Sequence, residues 1–555
     1  MKQSNGKFYE DEYELALLDL LVEQGWEYTY GGKIHRHNRD VLLLDDLTSY
    51  LNRRYPDLTA QDIEEISNKL RHVSGQTHFE TLRNTYYLIR DGFRYVRHDD
   101  GKTFDIDFID YDGSDNTYRV VNQFEVGYGL GDNIRIPDVI LFVNGMPLCI
   151  FELKNPADEN ATIADAYDQI HIRYLRDIPH LLRYCPLSCI SDATVNNTKI
   201  GTTYTPYEHY YAWKKVNNED PVATKGLDQV RTIVAGVYEP SRFIEIFRDY
   251  CYFPDKDFDK EQEIVCRYPQ FFATRMLREH VREVYARGDR KGGTYFGATG
   301  CGKTYTMMFL ARQLSLRCAE LGSPTIVMIV DRDDLQTQAG KLFLRSTEYL
   351  SLGAAQVIPN RTILKQELAA RDSGGFFICT IQKFCEEIGE LNTRRNIICF
   401  SDEAHRTQLG TGTTLKVRTR TDVDEPETDT QAIATTEKDE SKIGAFVTKP
   451  YAEHLRTAFP HATFVGFTGT PIDETIQVFG DIVDRYTMQQ AVDDEITKPL
   501  KYIPRIAQVT LDSTKVKEID EYYKKCADEG ATDADIAASK KAMSAMEVIP
   551  VSYTH

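Results

Sequence analysis

Three short stretches carry residues whose types and spacing suit chemistry on phosphate. The first, Gly297-Ala-Thr-Gly-Cys-Gly-Lys303-Thr304, fits G-x-x-x-x-G-K-[ST] at every defined position. Gly297, Gly300 and Gly302 let backbone N–H groups turn inward around phosphate oxygens, with Thr299 in the same loop. Lys303 reaches the outer phosphates, and the Thr304 hydroxyl is placed to ligate Mg²⁺. The helix-like run that follows, Tyr305 to Leu316, adds a favourable dipole. ATP with Mg²⁺ is the expected occupant.

The second stretch is Pro137-Asp138 followed by Glu152-Leu153-Lys154, a PD-(D/E)xK pattern with thirteen residues between the acids. Two carboxylates can hold Mg²⁺ beside a phosphodiester, and a lysine can stabilise charge or help activate water. E-x-K puts Glu152 and Lys154 on one face of a strand. The position of Asp138 is a matter of register. Asn144-Gly145 signals a hairpin turn. A strict two-residue turn pairs Asp138 with Phe151 and turns it away from Glu152. A three-residue loop, Asn144 to Met146, or a bulge near Pro137 pairs it with Glu152 instead. One such offset is expected. Charges in a strand as apolar as Cys149-Ile-Phe-Glu-Leu-Lys154 are costly unless paired or metal-bound.

The third stretch is Asp402-Glu403-Ala404-His405, directly after the apolar run Asn396-Ile-Ile-Cys-Phe400. An acidic pair at a strand's carboxyl end suits a nucleotide site in an open α/β sheet. Asp402 would hold Mg²⁺, through water, and Glu403 would orient or deprotonate the attacking water.

The elements that must position these groups fall into two patterns. Residues 8 to 30 read as a helix ending near Gly25, and Asp57 to Leu88 is helical and charged. Strand-like runs follow at Phe104 to Ile109, Tyr118 to Phe124, Ile134 to Val143 and Met146 to Leu153, and 157–182 reads as helix. From 261 onward, buried strands at 295–296, 325–330, 376–380, 396–400 and 463–467 alternate with helix-length segments, as in a parallel doubly wound sheet. Residues 417–440, rich in Thr, Asp and Glu, read as a solvated, flexible insertion, and 514–547 read as helix.

The 555 residues are too many for one core. No apolar run approaches a membrane span, and the N-terminus has no signal core. Eleven scattered cysteines suit a reducing cytoplasm, with Cys185 and Cys189 as buried thiols. Trp26, Trp213 and most tyrosines are expected to pack cores. A net charge of −19 argues against indiscriminate electrostatic binding to nucleic acid, leaves a local basic groove open, and suggests that tight DNA engagement needs a partner subunit.

The order of these motifs is similar to that of superfamily-two helicase and translocase motors. The longer texts Asp402-Glu-Ala-His-Arg-Thr-Gln408, Phe467-Thr-Gly-Thr-Pro471, Val330-Asp-Arg-Asp-Asp-Leu335 and Thr380-Ile-Gln-Lys-Phe384 resemble the motor subunit of type I restriction-modification enzymes. Cys149 to Pro156 and Asn122-Gln-Phe124 resemble the nuclease domain of that family. The resemblance implies an α/β chain, with a PD-(D/E)xK nuclease-like domain followed by a RecA-like parallel-sheet helicase lobe. Expected boundaries are 1–255, 261–490 and a linker or start of a second lobe at 491–555. It implies that Gln270, in Tyr268-Pro-Gln270, reads adenine, that Thr468 and Thr470 couple nucleotide state to DNA contact, and that 331–338 and 380–384 touch the DNA backbone.

The family often places a glutamine and a tyrosine four apart on the helix after the nuclease strand. Gln169 is present, but Arg173 holds the fourth position and Tyr174 the fifth, about 140° around an α-helix. Gln169 is therefore expected in the site, while an α-helix would set Tyr174 off its face and the role of Tyr174 is left open. Whether Glu14 or Glu80 adds a metal contact is left open. By resemblance, the chain is expected to be a cytoplasmic N-terminal fragment of the restriction subunit. Such a subunit works on double-stranded DNA with modification (methyltransferase) and specificity subunits, coupling ATP-driven translocation to Mg²⁺-dependent cleavage. Without the second lobe's arginines, ATP binding with little DNA-stimulated hydrolysis is expected. A stand-alone nuclease-helicase of repair or phage defence is the alternative.

Overall fold

Seven strands of the N-terminal half pair side by side in chain order. In the computed structural model they are β1 (Glu27–Tyr30), β2 (Tyr118–Asn122), β3 (Val139–Val143), β4 (Met146–Leu153), β5 (Leu187–Ser191), β6 (Thr198–Thr202) and β7 (Tyr211–Ala212). The structure describes residues 10–498, apart from 132, 155–161, 256–260, 331–337, 352, 354, 385–388, 403, 405–413, 418–444, 449–450 and 472, and it describes residue 524. The chain divides into compact units Met1–Thr497 and Lys498–His555, and every element named here lies in the first.

β1 and β2 run parallel, as do β4 and β5; the other neighbours are antiparallel. Every residue of β3 and β4 is buried, which is why both read as continuous apolar runs. Between them Asn144 (φ 50°) and Gly145 (φ 79°) make the two-residue turn that their left-handed conformations favour. The predicted run Ile134–Val143 is broken. Ile134–Arg135 pairs with Val126–Gly127 in a small separate hairpin, and the sheet strand starts only at Val139. The parallel step from β4 to β5 is bridged by a helical crossover that begins with α1 (Ile163–Asp168).

A second sheet of seven parallel strands follows: β8 (Lys291–Gly297), β9 (Thr325–Val330), β10 (Gln356–Val357), β11 (Phe376–Thr380), β12 (Ile397–Ser401), β13 (Thr463–Thr468) and β14 (Ile482–Tyr486). Their order is β10-β11-β9-β12-β13-β8-β14. The expected doubly wound sheet is therefore present, with two further edge strands, β10 and β14. One continuous apolar cluster runs from Trp26 through Phe151 and Trp213 to Met328 and Phe467, joining both sheets. A second cluster, including Phe377, Phe464 and Phe479, covers the other face of the parallel sheet.

Within the expected insertion 417–440, all but Val417 lie outside the described residues. At its base Thr414–Val417 pairs antiparallel with Ala445–Thr448. The expected helix 514–547 also falls outside the described residues, save Lys524.

Candidate active sites

The hairpin of β3 and β4 brings the two acids together. Its turn is strictly two residues, so Val143 faces Met146, and by that count alone Asp138 would face away from Glu152. The register then slips by one. Phe142 pairs with Pro147 but Leu141 with Cys149, leaving Leu148 as an extra residue, and Val139 comes opposite Phe151. Asp138 therefore lies across from Glu152. The offset takes neither expected form: the loop is two residues long, and the slip falls at Leu148 rather than near Pro137. The Leu153 N–H donates to Asp138 Oδ2 at 2.6 Å, fixing that carboxylate at the strand end.

Glu152 is 0 % exposed. Lys154 Nζ donates to its Oε1 at 2.9 Å and to Gln169 Oε1 at 3.3 Å. Gln169 Nε2 donates to the Tyr174 hydroxyl at 2.8 Å, and that hydroxyl donates to Glu152 Oε2 at 3.0 Å. Four side chains thus close a ring in which each donor meets an acceptor. Burial and the nearby Glu152 charge hold the Tyr174 phenol far above its ordinary pKa, so it stays a donor.

Tyr174, whose role the sequence leaves open, shares the face of Gln169 because the helix here is not α. Gln169–Tyr174 is a π-helical segment, with the Leu175 N–H bonded to Ile170 O. In such a turn residues five apart stack as residues four apart do in an α-helix. The sequence signal was the extra residue itself, read against α geometry alone.

Glu14 reaches the same end of the sheet. Asn122 Nδ2 donates to Glu14 Oε1 at 2.6 Å, and Asn122 pairs with Val139, the residue after Asp138. Glu80 instead accepts the Gln76 N–H at 2.8 Å near the start of its own helix. Among the described residues no group of three or more His, Cys, Asp or Glu is arranged to hold a metal ion. Two carboxylates remain a suitable donor set for Mg²⁺, which takes one or two and fills its shell with water and phosphate oxygens.

The second site lies at the carboxyl ends of the parallel strands. After β8 the loop turns through Gly300 (φ 83°) and Gly302 (φ 87°), and Lys303 opens α3 (Lys303–Leu316), the helix after α2 (Tyr268–Arg287). A Cβ on Gly302 would lie 2.5 Å from Gln270 Nε2, so a larger residue would push the end of that side chain away from the loop. Gln270 Oε1 accepts the Arg267 N–H at 2.9 Å, while its Nε2 donates to the carbonyls of Cys301 and Gly302, each at 3.4 Å. Lys303 Nζ donates to Gly297 O at 3.3 Å.

Gly469 of the turn after β13 approaches the loop. A Cβ there would lie 3.2 Å from Thr299 Oγ1 and 3.7 Å from Lys303 Nζ. Thr468 Oγ1 accepts the Thr470 N–H at 3.1 Å, a turn contact. Asp402 follows β12 and is tied to β9 by its N–H to Ile329 O at 2.9 Å. Thr304 is half-buried on the first turn of α3. Glu403, His405 and 331–337 lie outside the described residues, and Ile381–Phe384 form a short 3₁₀ turn after β11.

The arrangement defines a protein that joins a PD-(D/E)xK nuclease-like α/β domain to a RecA-like parallel-sheet lobe. Residues 7–209 match the model of the type I restriction enzyme R protein N terminus, and 269–535 match that of the SWI2/SNF2 ATPase. The chain is 32% identical over 516 residues to the type I restriction enzyme HindI endonuclease subunit of Haemophilus influenzae, covering 89% of this chain and 46% of that one. It is 26% identical over 581 residues to the putative type I restriction enzyme MjaIXP endonuclease subunit of Methanocaldococcus jannaschii, covering 97% and 50%. A solved structure, the ATP-dependent Type ISP restriction-modification enzyme LlaBIII bound to DNA, shares 15% identity with a TM-score of 0.26, covering 43% of this chain and 16% of that one. The chain belongs to the R-protein family of type I restriction enzymes and carries its N-terminal region together with an ATPase region. It spans about half the length of the curated relatives it matches.

Proposed function

We propose that this chain supplies the DNA-cutting centre and the first ATP-binding lobe of a type I restriction enzyme, acting on double-stranded DNA in the cytoplasm. On this reading 1–255 form the nuclease domain, 261–490 the first motor lobe, and 491–555 lead towards a second lobe. ATP turnover drives duplex movement, and methyltransferase and specificity subunits choose the site. The observation that carries the reading is Asp138 set across from Glu152, with Lys154 bonded to the latter.

Asp138 and Glu152 would hold Mg²⁺ at the scissile phosphate, where the ion supplies charge neutralisation and a more acidic water. Lys154 is placed to stabilise the developing phosphorane charge. Gln169 and Tyr174 fix the directions of Lys154 and Glu152. In the lobe, Gly297, Thr299, Gly300, Gly302 and Lys303 would cradle the triphosphate, with Thr304 and Asp402 towards its Mg²⁺ and Gln270 towards adenine. Glu403 would orient the attacking water.

Plasmid nicking and binding of a fluorescent ATP analogue test both halves. Asp138→Ala should abolish Mg²⁺-dependent nicking and leave ATP binding intact. Lys303→Ala should weaken ATP binding at least about 100-fold, the scale of one lost charge-assisted phosphate contact. Nicking that survives Asp138→Ala defeats the nuclease assignment.

A further inference from the structure

The π turn that carries Tyr174 into the acid pocket is an uncommon geometry, and such turns persist where the surroundings hold them. His171, inside the turn, is held on two sides. Its ring stacks on Tyr167 at 3.9 Å between centroids with 18° between planes, and its Nε2 lies 3.0 Å from the Tyr210 hydroxyl. Burial lowers the imidazole's pKa to about 4, so the ring is neutral near pH 7.

Tyr210 is itself fixed to the sheet. Its hydroxyl also meets Ser188 Oγ of β5 at 2.5 Å and donates to Thr202 O of β6 at 3.0 Å. A Cβ on Gly201 would come within 2.6 Å of its ring, so the strand is shaped to seat it. Upstream, Asp165 caps Thr162 and anchors α1. Downstream, Tyr174 is anchored by Glu152. Between these anchors there is one residue more than an α-helix would use.

We propose that Tyr210, acting through His171, is a positioning residue for the acid pocket: it holds the π turn that lets a glutamine and a tyrosine five apart close the ring around Glu152. The proposal rests on the nuclease reading above. It has a sharp corollary. Ile172 is 56 % exposed, and removing it leaves Gln169 and Tyr174 four apart, so an ordinary α-helix would present both without the pin.

The test is Mn²⁺ binding to the full chain without nucleotide, read by electron paramagnetic resonance, alongside plasmid nicking. Binding of the ATP analogue serves as the check that each variant is folded. Tyr210→Phe should weaken Mn²⁺ binding about tenfold, the scale of losing an outer support of a metal site. Deleting Ile172 should leave affinity within about twofold of the parent, and adding the deletion to Tyr210→Phe should restore it, as expected if the α turn needs no pin. Parent-like affinity in Tyr210→Phe, or a combined variant no better than Tyr210→Phe alone, overturns the proposal.

If the deletion does not fold, His171→Phe and Tyr210→Phe remove the same contact from opposite sides. Their losses should then coincide and not add, and additive losses overturn the pin. Asp138→Ala separates the two readings. Parent-like Mn²⁺ binding in that variant defeats the nuclease assignment itself, whatever Tyr210 does.

Discussion

Glu152 sits without solvent on a strand buried along its whole length. Desolvating a carboxylate costs several kcal/mol even after relaxation, so the bonds from Lys154 and Tyr174 are what let the acid remain there. Tyr174→Phe keeps the ring in its buried slot but removes one of those donors. It should destabilise the chain by about 1–3 kcal/mol in urea unfolding, the cost of an under-satisfied buried acceptor. Nicking should fall with it, while ATP-analogue binding stays unchanged. Gly302 is the counterpart in the lobe. Gly302→Ala combines a left-handed backbone with a Cβ pressed on Gln270. Loss of ATP-analogue binding by at least about tenfold is expected, since about 1–2 kcal/mol of backbone strain alone approaches that factor.

At the level of elements, β14 carries the clearest pH signature. Burial raises the Asp484 carboxyl to about 6, although Asn218 Nδ2 donates to it at 3.0 Å. The folded chain therefore holds this proton where the unfolded chain, near 3.8, has released it. The acid costs stability increasingly as pH rises from about 4 to 6 and fully above that window. Asp484→Asn should stabilise the protein by on the order of 2 kcal/mol at pH 7.5 and by little at pH 4.5, in urea titrations at both values. An unchanged gap between variant and parent at the two pH values would refute this origin.

The parallel strands were legible because Thr325–Val330 and Phe376–Thr380 are unbroken apolar runs. β5 and β6 were not, since Leu-Ser-Cys-Ile-Ser and Thr-Lys-Ile-Gly-Thr mix small polar residues whose partners lie elsewhere in the sheet. The acids' shared face was legible as a requirement of register, but the choice of Leu148 as the bulge was not. That choice depends on packing around β4, which sequence spacing does not encode. The role of Tyr174 stayed open for a related reason: the count of residues was legible, but the π turn that makes five apart share a face was not.

At the scale of the molecule, the two sheets meet at one buried carboxylate. Asp494, after the helix Met488–Asp493, accepts from Tyr486, from Tyr268 two residues before Gln270, and from Tyr211 of β7. Lys214, just beyond β7, pairs with it at 3.0 Å. Breaking a buried pair from one side leaves a charge stranded, so Lys214→Met should cost about 3 kcal/mol or more, and Lys214→Met with Asp494→Leu should cost less than Lys214→Met alone. Urea unfolding of the single and double variants reads this directly.

The same junction decides how the protein can be taken apart. Trp213 lies edge-on to Phe271 and within 6.3 Å of Phe272, so a truncation starting near residue 261 would strip the aromatic cover from the first turns of α2 together with two partners of Asp494, Tyr211 and Lys214. Such a severed lobe would present a sticky face and clump when expressed alone. The two proposed activities are better separated by silencing one pocket at a time than by scissors.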